Sequence, residues 1–241
     1  MKARPVPAKL VAAAFVLGAA TVPGFAPFYL YPLPLLTFAA FAVMLLRARS
    51  ARVALATGFS FGLGLLVTGT SWVYVSLHDF GGMPMPAAAL ATLLFCAIYA
   101  SCPAIAGGIF YRLRATPALK LLLVFPAIWA LSDWARGWLF TGFPWLALGY
   151  SQVPDSPLAG YSALIGVYGV SLVTAMTAGC IALVYLRAAQ SLRPDQETPG
   201  QNRTDSHTPR RLRQALAGSR VPAIVAVVIL VVGTAAGSIE W

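Results

Sequence analysis

Ser76, His78 and Asp79 stand within four residues and offer the three roles of nucleophilic catalysis: a hydroxyl, a base and a carboxylate to orient the base. Residues this close on one stretch rarely reach the geometry of a triad, because nucleophile and orienter must approach different nitrogens of the imidazole. Cys96, Cys102 and Cys180 are the other nucleophiles by type. All three lie in apolar runs with no base nearby, and their spacing fits neither a zinc site nor a disulfide framework, so they read as buried packing. Asp133 and Arg136 are the ionisable exception within an otherwise apolar stretch. Three residues apart on a helix, they share a face and can pair. Two readings stand for them: an anchor for a lipid headgroup, or a pair that fixes a helix end at the membrane interface.

The elements that would carry these residues belong in lipid. The chain has 241 residues, 59% hydrophobic and 10% charged, with a mean hydropathy of +0.77; soluble domains carry about 25% charged residues. The N-terminus MKARPVPAKLVAAAFVLGAA has the basic start and apolar stretch of a signal peptide. Its apolar character continues without a charge from Leu10 to Leu46, so a retained anchor is expected instead. A span takes about 20 apolar residues, and clean candidates are 53–77, 86–111, 119–138, 161–186 and 221–238. Within 10–46, the break PGFAPFYLYPLP (23–34) holds four prolines, which no single helix would tolerate. Two short helices, 10–22 and 33–46, are therefore expected.

Charge sets the topology. Of the 17 Lys and Arg, 16 fall in four patches, at 2–9, 47–52, 112–120 and 187–220, and only Arg136 lies elsewhere. If every patch faces the cytoplasm, as the positive-inside rule prefers, an even number of crossings separates each from the next. The expectation is an all-α, polytopic bundle of about seven transmembrane helices, N-terminus cytoplasmic and C-terminus periplasmic. The net charge of +10 is then topological and calls for no nucleic acid. Residues 188–220, polar and proline-bearing, are expected to form a disordered basic cytoplasmic loop. Gly58 and Gly62 share a helical face and permit close helix approach. A proton-coupled transporter would need acidic or histidine side chains deep in the bundle, and inverted repeats with discontinuous midplane helices. The sequence shows neither, so a transporter or non-enzymatic scaffold is the weaker alternative.

Residues 139–160 fit no span. GWLFTGFPWLALGYSQ (137–152) is interrupted by Gly137, Gly142, Pro144 and Gly149, yet carries Trp138, Phe143 and Trp145. It is expected to lie along the periplasmic interface as an aromatic segment, since Trp pairs an apolar body with a polar tip.

WVYVSLHDFGGMP (72–84), RGWLFTGFPWLALGYSQ (136–152), the terminal IEW (239–241) and GFAPFYLYPL (24–33) together resemble the membrane part of the apolipoprotein N-acyltransferase family. The resemblance implies acyl transfer from a membrane phospholipid, first to a cysteine and then to the amino group of a diacylglyceryl-cysteine on an apolipoprotein, by nucleophilic catalysis. It implies a bacterial inner-membrane location and no cofactor. Within the matching segments, Trp72, Tyr74, Phe80, Met83, Arg136, Phe143, Pro144, Trp145, Tyr150 and Trp241 are the candidates for contact with lipid or substrate. The family's Glu-Lys-Cys triad sits on a nitrilase-like domain expected to follow the position of Trp241. No residue of this sequence corresponds to that triad. The chain is therefore expected to contain no catalytic or metal-binding residue, to partner with that missing domain and to be inactive alone.

Overall fold

A computed structural model describes residues 6–191 and 208–238, and among them there are helices and turns but no strand. The first two helices, α1 (Ala8–Thr21) and α2 (Pro32–Leu46), are separated by the proline-rich break, which forms a single 3-10 turn over Val22–Gly24. Ser50 caps α3 (Ala51–Gly69) by accepting from the Val53 amide at 3.3 Å. A short helix α4 (Trp72–Val75) runs into a π-helical turn at Ser76–Phe80, and α5 (Met85–Arg112) follows. Thr116 caps α6 (Pro117–Leu119), which continues through a second π turn, Lys120–Val124, into α7 (Phe125–Arg136). Short 3-10 turns then lead to α8 (Ser162–Ser191), bent at Gly166, and to α9 (Thr208–Gly237).

Among the described residues, four stretches are long and apolar enough to cross a membrane: Ala51–Gly69, Met85–Arg112, Pro117–Arg136 and Pro157–Gln190. Shorter apolar helices cover Ala8–Gly24, Pro32–Leu46 and Val221–Gly237. Lipid tails are as apolar as leucine, so helices in them associate through close packing. Gly58 and Gly62 of α3 provide it: a Cβ at Gly58 would overlap the Pro103 carbonyl of α5, and one at Gly62 would meet the Pro103 ring. The Ser60 hydroxyl ties α3 to α1 by donating to the Val11 carbonyl at 2.7 Å. At the centre, rings from α2, α3 and α7 interlock. Phe41 stacks on Phe61 with centroids 4.1 Å apart, and Trp129 meets Phe38 edge-on at 4.6 Å.

The bundle has two unlike ends. Arg47, Arg49, Arg52, Arg112, Arg114 and Lys120 fall where α2 and α5 finish and α3 and α6 begin. Lys120 lies over the Phe110 ring, 5.0 Å from its centroid, and the Tyr111 hydroxyl reaches the Arg49 carbonyl at 3.4 Å. The opposite end gathers the α1–α2 break, α4 and residues 137–161.

Several boundaries differ from expectation. Helix α3 stops at Gly69, well short of residue 77, because Thr70 turns its hydroxyl back to the Leu66 carbonyl at 2.7 Å and its backbone leaves the helical region. Residues 72–77 therefore form a separate segment. The helix ending at Arg136 stops two residues earlier than residue 138. In the stretch 188–220, α8 continues to Ser191 and α9 already begins at Thr208, so both margins of the expected loop are helical. Residues 192–207, the middle of that loop, and Trp241 lie outside the described residues.

Candidate functional site

The two charges of α7 are buried. Asp133 is 0% exposed and Arg136 2%, with Nη2 of Arg136 donating to Asp133 Oδ1 at 2.6 Å. Removing two charges from water costs several kcal/mol each, on the order of the attraction regained, unless further hydrogen bonds satisfy the remaining atoms. Here they do. Arg136 Nη1 donates to the Trp145 carbonyl at 3.0 Å and Nη2 to the Leu146 carbonyl at 3.4 Å. Asp133 Oδ2 accepts from the Leu148 amide at 2.8 Å and from the Ser171 hydroxyl of α8 at 2.9 Å. Ser171 Oγ in turn accepts from the Gly149 amide at 2.8 Å. The i,i+3 pairing of Asp133 and Arg136 is formed. The Arg136 guanidinium is enclosed by Asp133 and the carbonyls of Trp145 and Leu146.

What the pair holds is the broken aromatic segment. The Phe143 amide returns to the Arg136 carbonyl at 2.7 Å, and Phe140, Thr141 and Gly142 all have positive φ. Gly142, at φ 87°, adopts this without penalty, as a glycine can. Leu146 lies at φ 57° although its side chain is buried, a conformation that costs a bulky residue on the order of 1–3 kcal/mol and persists only where surroundings enforce it. The carboxylate and guanidinium on either side of it supply that enforcement.

The clamp sets an array of rings. Trp145 lies 5.5 Å from Trp72 and 6.0 Å from Phe143, and Phe143 packs edge-on against Phe95 of α5 at 4.8 Å. Tyr99 joins Phe143 at 5.3 Å. Beside them opens a cavity of about 530 Å³, lined by Phe25, Tyr29, Pro144, Trp145, Leu146 and Tyr150 among others. Its walls are mainly apolar, and two of its residues, Tyr29 and Leu146, have positive φ. A more polar cleft of about 550 Å³ lies at the same end, between residues 154–163 and the last turns of α9. None of the aromatic candidates from residues 72–84 or 136–150 lines it.

Of the residues singled out in the sequence, Trp72, Phe143, Pro144, Trp145 and Tyr150 thus converge on one place. The others do not. Tyr74 packs on His78 at 5.5 Å, Phe80 projects from the π turn 86% exposed, and the Met83 backbone carbonyl accepts from His78 Nδ1 at 2.8 Å. That bond commits one imidazole nitrogen to the backbone. The other is 3.9 Å from Asp79 Oδ1, beyond hydrogen-bond range, so His78 is not arranged between Ser76 and Asp79 as a base in a triad. Cys96, Cys102 and Cys180 are buried, and among the described residues no three His, Cys, Asp or Glu groups come together as metal ligands. Sequence reasoning missed Ser171, Phe25 and Tyr29. Phe25 and Tyr29 carried a signal, lying within the aromatic break GFAPFYLYPL. Ser171 carried none.

Helices of this length and hydropathy, with a buried charge pair bracing an aromatic cavity at one end, define an all-helical, multi-pass membrane protein. Residues 17–180 match the family described as apolipoprotein N-acyltransferase N-terminal domain, and the chain belongs to that family. It is similar to the apolipoprotein N-acyltransferase of Nitrosomonas europaea, 52% identical over 172 residues, which cover 70% of this chain and 34% of the relative. The Chromobacterium violaceum protein of the same name is 42% identical over 73% of this chain and 34% of its own length. That of Coxiella burnetii is 44% identical over 71% and 35%. The chain spans about a third of the length of the curated relatives it matches.

Proposed function

We propose that this chain is the membrane part of an apolipoprotein N-acyltransferase, and that the cavity beside Trp145 admits an acyl chain sideways from the bilayer. The observation that carries this is the clamp. Asp133 and Arg136 hold a strained, aromatic segment rigidly against an apolar cavity at the bundle end opposite the arginines. A mere interfacial anchor needs tryptophans at the headgroup level but no buried ion pair to fix their backbone.

In this reading the seven apolar helices all cross the inner membrane. The basic end is cytoplasmic, and residues 78–85 and 139–160 are periplasmic. The acyl chain passes from a phospholipid to a cysteine thiol held just above the cavity, and then to the amino group of a diacylglyceryl-cysteine on the lipoprotein. This chain supplies access and orientation, which lower the barrier by fixing the reacting groups. A nitrilase-like domain partnering with it supplies the Glu-Lys-Cys chemistry. By itself the chain forms no thioester, because its three cysteines are buried and have no base beside them.

Replacing the matching third of the Nitrosomonas europaea relative with residues 1–180 of this chain tests the reading. The chimera is expected to sustain growth of cells depleted of their own N-acyltransferase, and Trp145→Ala together with Phe143→Ala in it to lower acyl transfer at normal membrane insertion. Unchanged transfer in the double variant would reduce the segment to an anchor. The orientation has its own test. A single cysteine at position 200, in a cysteine-free background, is expected to resist an impermeant reagent in intact cells; labelling there would reverse it.

A further inference from the structure

We propose that a groove between α2 and α8, at the basic end of the bundle, binds one anionic phospholipid, separately from the aromatic cavity. The groove has a volume of about 370 Å³. Its α2 wall is the stripe Leu36, Ala40, Val43 and Arg47, spaced three or four residues apart as one helical face requires, with Met44 beside it. On α8 it is lined by Ile181, Ala182 and Tyr185. Small residues make the depth: Ala39 and Ala182 form a buried floor, while Leu36 and Tyr185 rise beside it more than half exposed.

Length and charge identify the occupant. From Leu36 to Arg47 is 11 residues, or roughly 16 Å at the α-helical rise. The hydrocarbon core is ~30 Å thick, so the groove runs the depth of one leaflet. One acyl chain laid along it would end near the midplane at Leu36 and bring its headgroup to Arg47. Arg47 is exposed and stands where α2 ends, with Arg49 and Arg52 following, and among the described residues no carboxylate lines the groove. A guanidinium presents a planar fork that matches a phosphate bidentately. Tyr185, apolar in body and polar at its tip, suits the headgroup boundary. The charge is what selects an anionic lipid over a zwitterionic one. That the lipid belongs to the cytoplasmic leaflet rests on the orientation proposed above; that it binds does not.

Native mass spectrometry of the chain, released from micelles doped equally with dioleoyl phosphatidylglycerol and dioleoyl phosphatidylcholine, tests the site. A bound phosphatidylglycerol is expected in preference to phosphatidylcholine. Arg47→Gln, at an exposed position, should weaken that preference about fivefold, the worth of one basic residue near an anionic headgroup. Ala40→Phe, also at an exposed position, should fill the groove and reduce both adducts. An undiminished preference in Arg47→Gln would overturn the headgroup assignment. Unchanged adducts in Ala40→Phe, or a lipid-free dimer in the wild-type spectrum, would assign the groove to another segment or a second copy and overturn the site. None of these readouts depends on which side of the membrane the groove faces, so they stand apart from the labelling test.

Discussion

Residues 137–152 are held by buried charge, whereas residues 72–84, rich in the same aromatic types and at the same end of the bundle, are held by turns of their own backbone. In the first, side-chain bonds from α7 and α8 reach the backbone of Trp145, Leu146, Leu148 and Gly149. In the second, the π turn closes with the Gly81 amide on the Ser76 carbonyl at 2.9 Å, and His78 bonds the Met83 carbonyl within the same short segment. The outcome differs accordingly. Trp145 lines a defined cavity with Trp72 and Phe143 beside it, and Phe143 packs on Phe95, while Phe80 stands almost wholly exposed. Aromatic composition thus marks a membrane interface in both, but only the segment tied to the helices acquires a fixed surface.

The contrast can be broken at the carboxylate. Asp133→Ala leaves a buried guanidinium unpaired and is expected to destabilise the chain by about 3–5 kcal/mol, the largest effect at this end. Thermal unfolding in detergent, followed by loss of monodisperse protein, measures it. Replacing both partners, as Asp133→Leu with Arg136→Met, should recover much of that loss while freeing residues 143–149, read as faster proteolysis of the segment. Ser171→Ala should cost about 1–3 kcal/mol in the same assay, since it strips the Gly149 amide of its acceptor. Trp145→Ala removes ring contacts worth about 0.5–1.5 kcal/mol and should change stability little. Its effect belongs to lipid: crosslinking by a phospholipid with a photoreactive acyl chain should fall. Phe80→Ala, in the loosely held segment, should lie within about 0.5 kcal/mol of wild type. A large loss there would erase the distinction between the two segments.

Much of this arrangement was legible because it rests on chemistry that hydropathy and spacing report. Four prolines broke 10–46 into two helices, and the i,i+3 spacing of Asp133 and Arg136 allowed their pairing. Phe143 and Trp145 were visible as interface residues, Trp72 was singled out by the family resemblance, and the three rings meet. What spacing could not report was where the pair's remaining hydrogen bonds go. Arg136 reaches carbonyls nine and ten residues ahead, and Asp133 reaches a serine 38 residues away; both depend on how α7 and α8 pack. Nor does an apolar run announce its own interruptions. Residues 53–77 read as one span because Thr70 scores as mildly polar, and its backbone departure from the helix has no signature in composition. Leu146 is the same problem in one residue: nothing about a leucine between Trp145 and Ala147 suggests a positive φ. Residues 208–220 looked like loop from their charge, yet they extend the last helix.

The attachment of α9 bears on the order in which the molecule is assembled during synthesis. Its packing partners are α8 and the turn at 157–161, against which it lies backbone to backbone: a Cβ at Gly160 would overlap the Gly233 carbonyl, and the Tyr161 hydroxyl donates to the Ile229 carbonyl at 2.8 Å. The rings of Phe38, Phe41, Phe61 and Trp129 all come from helices that leave the ribosome earlier. The bundle through Ser191 can therefore close its core before α9 exists, and the final helix arrives at a finished docking ledge rather than joining a collective collapse.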